Sequence, residues 1–173
     1  MSDSALQLDD ILARQGGDSE AVVNVDEPEL KLVIFSLGKD CFAFDGQYIR
    51  EILVDTPLHF IPACPPALAG VINVRGDIES VLALDTVLQL PAIAEHQTTP
   101  TILLAHNAEL RTGIAIERVI DVIDLPHSAL HSPPGNFAEP LRSLVSAVFE
   151  FNAQPVSLLD FNQLIAGWLR SLD

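Results

Sequence analysis

From Lys31 onward, short runs of apolar and β-branched residues alternate with turn residues, which is the pattern of a mainly β chain. Leu32–Leu37 and Cys41–Phe44 flank Gly38-Lys39-Asp40 and predict a hairpin. Ile49-Arg50-Glu51-Ile52-Leu53-Val54 predicts another strand, entered through Gly46. Pro57, Pro62, Pro65 and Pro66 then make an irregular connection. In the stretch 70–84, two strands meet at a tight turn. Val71, Ile72, Val74, Ile78, Val81, Leu82 and Leu84 supply its apolar content, and Gly76-Asp77 its turn chemistry. Arg75 stands alone beside that turn, where its guanidinium can solvate a hairpin end or meet a partner's carboxylate or carbonyl.

A polar stretch, Ala94 to Thr99, separates this half from a second that repeats it weakly. Thr101–His106 and Thr112–Ile116 match the opening hairpin in type and order. Ala43-Phe44-Asp45 is echoed by Ala115-Ile116-Glu117, and Ile49-Arg50-Glu51-Ile52 by Val119-Ile120-Asp121-Val122. Val81-Leu82-Ala83-Leu84-Asp85 returns as Val156-Ser157-Leu158-Leu159-Asp160. The shared order of these echoes predicts two similar β sub-domains packed together. The chain closes on a helix, capped by Asp160 or Asn162. Phe161, Leu164, Ile165, Trp168, Leu169 and Leu172 form its core stripe, and Trp168 packs against a barrel.

Ahead of the strands lies an acidic extension, residues 1–30. Ser4 to Gln15 there fits a short helix, either free or docked, and Asp18 to Glu29 a linker. The extension holds eight acids and one base, −7 of the net −15. Such charge repels nucleic acid and anionic membrane surfaces. No run reaches a membrane span, and the acidic Met1-Ser2-Asp3-Ser4 start is unlike a secretory signal, so a cytoplasmic protein is expected. Cys41 and Cys64 fit that compartment as reduced, buried thiols. Of the five histidines, His127 and His131 alone stand four apart, in a proline-rich stretch without a carboxylate at metal-motif spacing. There is no nucleophile elbow or phosphate-binding glycine loop. No metal, cofactor or catalytic residue is expected.

Taken in order, these pieces resemble the CheW family, the adaptor domain of bacterial chemosensory arrays. Ile49-Arg50-Glu51-Ile52 matches its V-x-E-I segment, and Ile61-Pro62 through Pro65-Pro66 its proline loop. Gly70-Val71-Ile72-Asn73-Val74-Arg75-Gly76 matches its G-V-[IT]-N-L-R-G signature. The resemblance runs from Lys31 to about Trp168, within a domain spanning 31–173. It implies two intertwined five-stranded SH3-like barrels sharing a core, with no active site. It also implies two partners: the regulatory domain of a CheA-type histidine kinase and the cytoplasmic tip of methyl-accepting chemoreceptors. Arg75 and Glu51 inherit the contact role, with Arg50, Asn73 and Gly76 as their motif neighbours.

The match breaks after the signature. Where the family continues [IV]-P-V-[IV]-D-L-R, this chain has Glu79-Ser80-Val81-Leu82-Ala83-Leu84-Asp85. Asp85 replaces an arginine and becomes a candidate for altered partner choice. These departures leave open a divergent member serving a non-flagellar pathway, or one inhibiting array assembly. A ligand-binding β protein or small hydrolase is the alternative from another class. It requires a deep pocket with converging His, Asp or Ser groups, whereas an adaptor requires two barrels and a shallow groove near Arg75.

Overall fold

The computed structural model describes residues 27–91 and 99–173, so the Ser4–Gln15 helix, most of the linker and most of the 94–99 stretch lie outside the described residues. Ten strands run in chain order: β1 Glu29–Leu37, β2 Asp40–Asp45, β3 Ile49–Leu53, β4 Leu68–Val74, β5 Asp77–Ala83, β6 Thr101–His106, β7 Arg111–Ile116, β8 Arg118–Pro126, β9 Val145–Phe151 and β10 Gln154–Leu159. Three helices join them: α1 Leu84–Val87, α2 Leu141–Leu144 and α3 Phe161–Ser171.

The strands form two five-stranded sheets, ordered β8-β1-β2-β10-β9 (barrel I) and β3-β6-β7-β5-β4 (barrel II). Each barrel takes two strands from one half of the chain and three from the other, so the sub-domains are intertwined instead of consecutive. The echoes in the sequence occupy matching places. Leu158 pairs with Ala43 in barrel I, and Ala83 pairs with Ala115 in barrel II, both in parallel register. A bulge follows the first residue of each V-x-E-I-like segment, at Arg50 in β3 and at Ile120 in β8. Each sheet is also closed by one bridge beyond its β3- or β8-type strand, His59–Val71 and His131–Val148.

Closure of barrel II depends on Gly70, whose φ is +152° and where a Cβ would fall 2.3 Å from the His59 carbonyl oxygen. Any side chain there would displace the backbone that makes the bridge. Barrel I places Ala147 in the corresponding position before Val148 and has no such requirement.

Between the barrels lies one core, drawing Val33, Phe35, Phe42 and Phe44 from barrel I and Leu82, Leu103, Ile114 and Ile116 from barrel II. Smaller clusters fill each barrel: Leu32, Ile34, Phe149 and Val156 in one, Ile72, Val74, Val81 and Ile102 in the other. Helix α3 completes the shared core. Asp160 accepts a bond from the Gln163 amide at 3.1 Å and caps the helix, so of the two candidate caps it is Asp160 that serves. Phe161 is 1% exposed and meets Phe44 edge-on and Tyr48 face-on. Trp168 packs on the same core, half-buried, while Leu172 lies past the last turn and is exposed.

The structure corrects several expectations. Leu84 belongs to α1 and not to a strand, and both cysteines are half-buried, not buried. Ile78, one of the residues that supply the apolar content of this stretch, is 65% exposed because it faces away from barrel II, opposite Asn73.

Candidate partner-binding site

The β4–β5 turn is Arg75-Gly76, one residue earlier than the expected Gly76-Asp77, because Val74 and Asp77 already pair as strand residues. Both turn residues have positive φ, 51° and 91°, the geometry that suits the right-handed twist of a two-residue hairpin. Arg75 thus occupies a left-handed conformation that non-glycine residues seldom adopt. Asn73 helps to hold it there: its Oδ1 accepts a bond from the Gly76 amide at 2.8 Å. Asn73 and Gly76 are therefore turn-builders.

Arg75 reaches from the turn to β3 and meets Glu51. Nη1 donates to Oε1 at 3.1 Å and Nη2 to Oε2 at 2.9 Å, a two-bond fork between two residues that the signature had only placed in separate motifs. The Arg75 side chain stays 73% exposed and that of Glu51 35%. Bonding to Arg75 holds the Glu51 carboxyl below the ordinary carboxylate range. Partial burial opposes this, while the Arg75 and Arg50 charges reinforce it. The bond to Glu51 likewise raises Arg75 further. Arg50 is the bulge residue of β3, set out of the ladder and exposed beside the fork.

Asp85 does not join this group. It follows the far end of β5, with on the order of 20 Å of strand between it and the turn. It lies in the first turn of α1, where its Oδ1 accepts from the neighbouring Thr86 amide at 2.9 Å.

A second polar pair escaped sequence reasoning. Glu79 is 6% exposed on β5, and its Oε1 lies 2.5 Å from Arg111 Nη2 on β7. The next residue, Ser80, shares a 2.9 Å hydroxyl contact with Thr112, which is fully buried. The departure from [IV]-P at 79–80 was visible in the sequence, but its partners lie 32 positions downstream, in a strand whose alignment with β5 local pattern does not reveal.

Two cavities are lined by other parts of the chain than the Arg75 turn. One of about 330 Å³ runs along α3, floored by Val87, Leu144, Leu164 and Trp168. A second, about 510 Å³, is lined by Cys41, Phe42, Phe137, Val148 and Pro155. Neither of these two is lined by Arg75. Neither is lined by histidine. Among the described residues no three His, Cys, Asp or Glu side chains gather as a metal site, and no helix is long and apolar enough to cross a membrane.

Two closed β-barrels interleaved around one core, with an ion-paired turn at one rim, define a double-barrel domain. The chain belongs to the family described as the CheW-like domain, which matches residues 31–167. Similar proteins include the probable chemotaxis protein CheW of Rhizobium etli, 22% identical over 148 residues, covering 86% of this chain and 95% of that one. The chemotaxis protein CheW of Helicobacter pylori is 23% identical over 160 residues, covering 92% and 96%. That of Treponema pallidum is 27% identical, covering 83% and 86%. In fold, the chain is similar to the crystal structure of scaffolding protein TtCheW from Thermoanaerobacter tengcongensis. That match has a TM-score of 0.69 at 20% identity and covers 79% of this chain and 92% of that one.

Proposed function

We propose that the chain is a non-catalytic adaptor that couples the cytoplasmic tip of chemoreceptors to the regulatory domain of a CheA-type histidine kinase, in arrays on the cytoplasmic face of the membrane. The observation that carries this reading is the Arg75–Glu51 fork, exposed at a barrel rim in a chain of the CheW-like family. The fork uses two guanidinium N–H groups and leaves the others for a carbonyl or carboxylate of a partner. Because Glu51 already holds the side chain in place, less rotamer freedom is lost when a partner docks. Arg50 adds positive charge beside the fork. Asn73 and Gly76 contribute by fixing the turn, and Asp85 belongs to a different end of the barrel. Signalling would then be a change in how receptor and kinase are held relative to each other, a shift between populated geometries.

The test is reconstitution. The purified chain, a receptor signalling fragment and a CheA-type kinase are co-sedimented, and kinase autophosphorylation is followed with and without receptor ligand. The wild-type chain is expected to bring the kinase under receptor control, and Arg75→Ala to weaken capture while leaving the circular dichroism spectrum unchanged. A wild-type chain that captures neither partner, or that blocks receptor control when added to a working array, would overturn the coupling role.

A further inference from the structure

The Arg75 turn stands at the end of a hairpin whose backbone support stops short of it. The parallel ladder that joins β5 to β7 begins at Val81–Gly113. From Asp77 to Ser80, β5 keeps its register with β4 but has no paired residue in β7, to which side chains tie it. Two such ties are present. Ser80 and Thr112 meet through their hydroxyls at 2.9 Å, and Thr112 Oγ1 also donates to the Ser80 carbonyl. One residue nearer the turn, Glu79 meets Arg111.

The strand period puts Glu79 and Arg111 on the inner side of barrel II. Val81, two residues from Glu79, packs in the barrel's own core, and the residue paired with Glu79 is the fully buried Ile72. Gly113 and Ala115 share the parity of Arg111. Gly113 faces Ile102 and Val81, and Ala115 packs on the same cluster. The ion pair therefore caps the open end of an apolar interior just below the Arg75 turn. Barrel I ends differently, in a 3.6 Å contact between Cys41 Sγ and Gln154 Oε1.

From this we infer that Glu79 and Arg111 are positioning residues for the Arg75 turn. They hold the hairpin from the β7 side, while the Arg75–Glu51 fork holds it from the β3 side. Neither needs to touch a partner. Glu79 is enclosed, so its carboxylate has a fixed place, and Arg111 fixes the end of β5 through it. The functional half of this inference rests on the adaptor reading. The structural half does not.

The experiment measures amide hydrogen exchange in the isolated full-length chain, and partner capture separately. Arg111→Met keeps the stem and removes the charge. It is expected to speed exchange at the 73–77 amides about tenfold, while the 150–154 amides of barrel I keep their rates, and Arg111→Lys is expected to restore most of the protection. Capture of receptor and kinase should fall with the loss of protection. Equal acceleration in both hairpins would mean general loosening and would overturn the inference, as would unchanged exchange at 73–77. Should Arg111→Met fail to fold, Glu79→Leu with Arg111→Met removes the stranded charge and gives a folded protein. Its 73–77 exchange is expected to stay faster than wild type, because apolar contacts lack the direction of the ion pair, and wild-type rates there would refute the role. A hairpin that loosens as expected in a chain that captures no partner even as wild type would sink the adaptor reading and leave the positioning role standing.

Discussion

At the hairpin end of barrel II, Glu51 and Arg75 form a fork and Glu79 faces Arg111; at the same end of barrel I stand Asp121, Asn152, Gln154 and Cys41. The plan beneath is shared. Both hairpins turn on two residues of positive φ, and both V-x-E-I-like segments carry a bulge at the same place. The lengths differ. The barrel II turn ends five positions before its parallel ladder begins at Val81, and the barrel I turn ends three positions before Val156. Asp121 spends its carboxylate on the neighbouring Val122 amide at 2.7 Å, and among the described residues it has no ion pair. A repeated scaffold thus supplies two rims, and among the described residues the ion pairs stand on the one with the longer hairpin.

The comparison requires both barrels to stand or fall with their common core, and Phe161 tests this most severely. It is 1% exposed and touches Phe44 of barrel I as well as Tyr48 on the way into barrel II. Phe161→Ala is expected to cost about 4 kcal/mol and to lower a single cooperative transition seen alike by circular dichroism and fluorescence. Two separated transitions would mean that the barrels do not share their stability. Gly70 comes next. Gly70→Ala sets a Cβ against the His59 carbonyl and should cost about 3 kcal/mol, whereas Ala147→Val on β9 should cost less than half as much. Equal losses in urea titrations would show that closure of barrel II is no more demanding than that of barrel I.

Much of this plan was legible in the chain. Apolar runs and turn residues located nine of the ten strands within a few residues, missing β9, and the ordered echoes foretold the repeat, because strand period and turn chemistry are local properties. The exchange of strands between the halves was implied only by the family resemblance and not by local pattern, since the partner of a strand is decided by packing over the whole domain. Arg75 and Glu51 were each found, but their mutual bond was not: 24 positions separate them, and only the turn conformation of Arg75 brings the guanidinium to β3. The distance of Asp85 from the Arg75 turn was not readable either, because only the direction of β5 carries it to the opposite end.

The aspartates after β5 and β10 offer a milder comparison. Asp160 bonds an amide three residues on and starts α3, while Asp85 bonds only the next residue and α1 has no side-chain cap. Asp160→Ala is expected to cost about 1 kcal/mol and Asp85→Ala less than about 0.5 kcal/mol in thermal unfolding. A larger loss at Asp85 would give it a structural task that the echo with Asp160 does share.

The smallest effect on stability, and the most telling for function, concerns the fork. Exposed ion pairs add little to folding, so Arg75→Ala should leave the urea midpoint within error of wild type. Its pH signature has a definite sign. Glu51 is held below its ordinary value when folded, so what the fork contributes is fully present above the ordinary carboxylate range and is lost as pH falls through the depressed value. Partner capture that depends on the fork should therefore stay level from pH 8 down through the ordinary carboxylate range and decline only below it, as Glu51 takes up its proton. Glu51→Gln should remove that decline and lower capture across the plateau, because the amide offers one acceptor where the carboxylate offers two. The matching change in barrel I, Asp121→Asn, should alter neither the level nor the profile. Capture that weakened equally with both substitutions would mean that charge on either rim serves, and that the longer hairpin gives Arg75 no advantage.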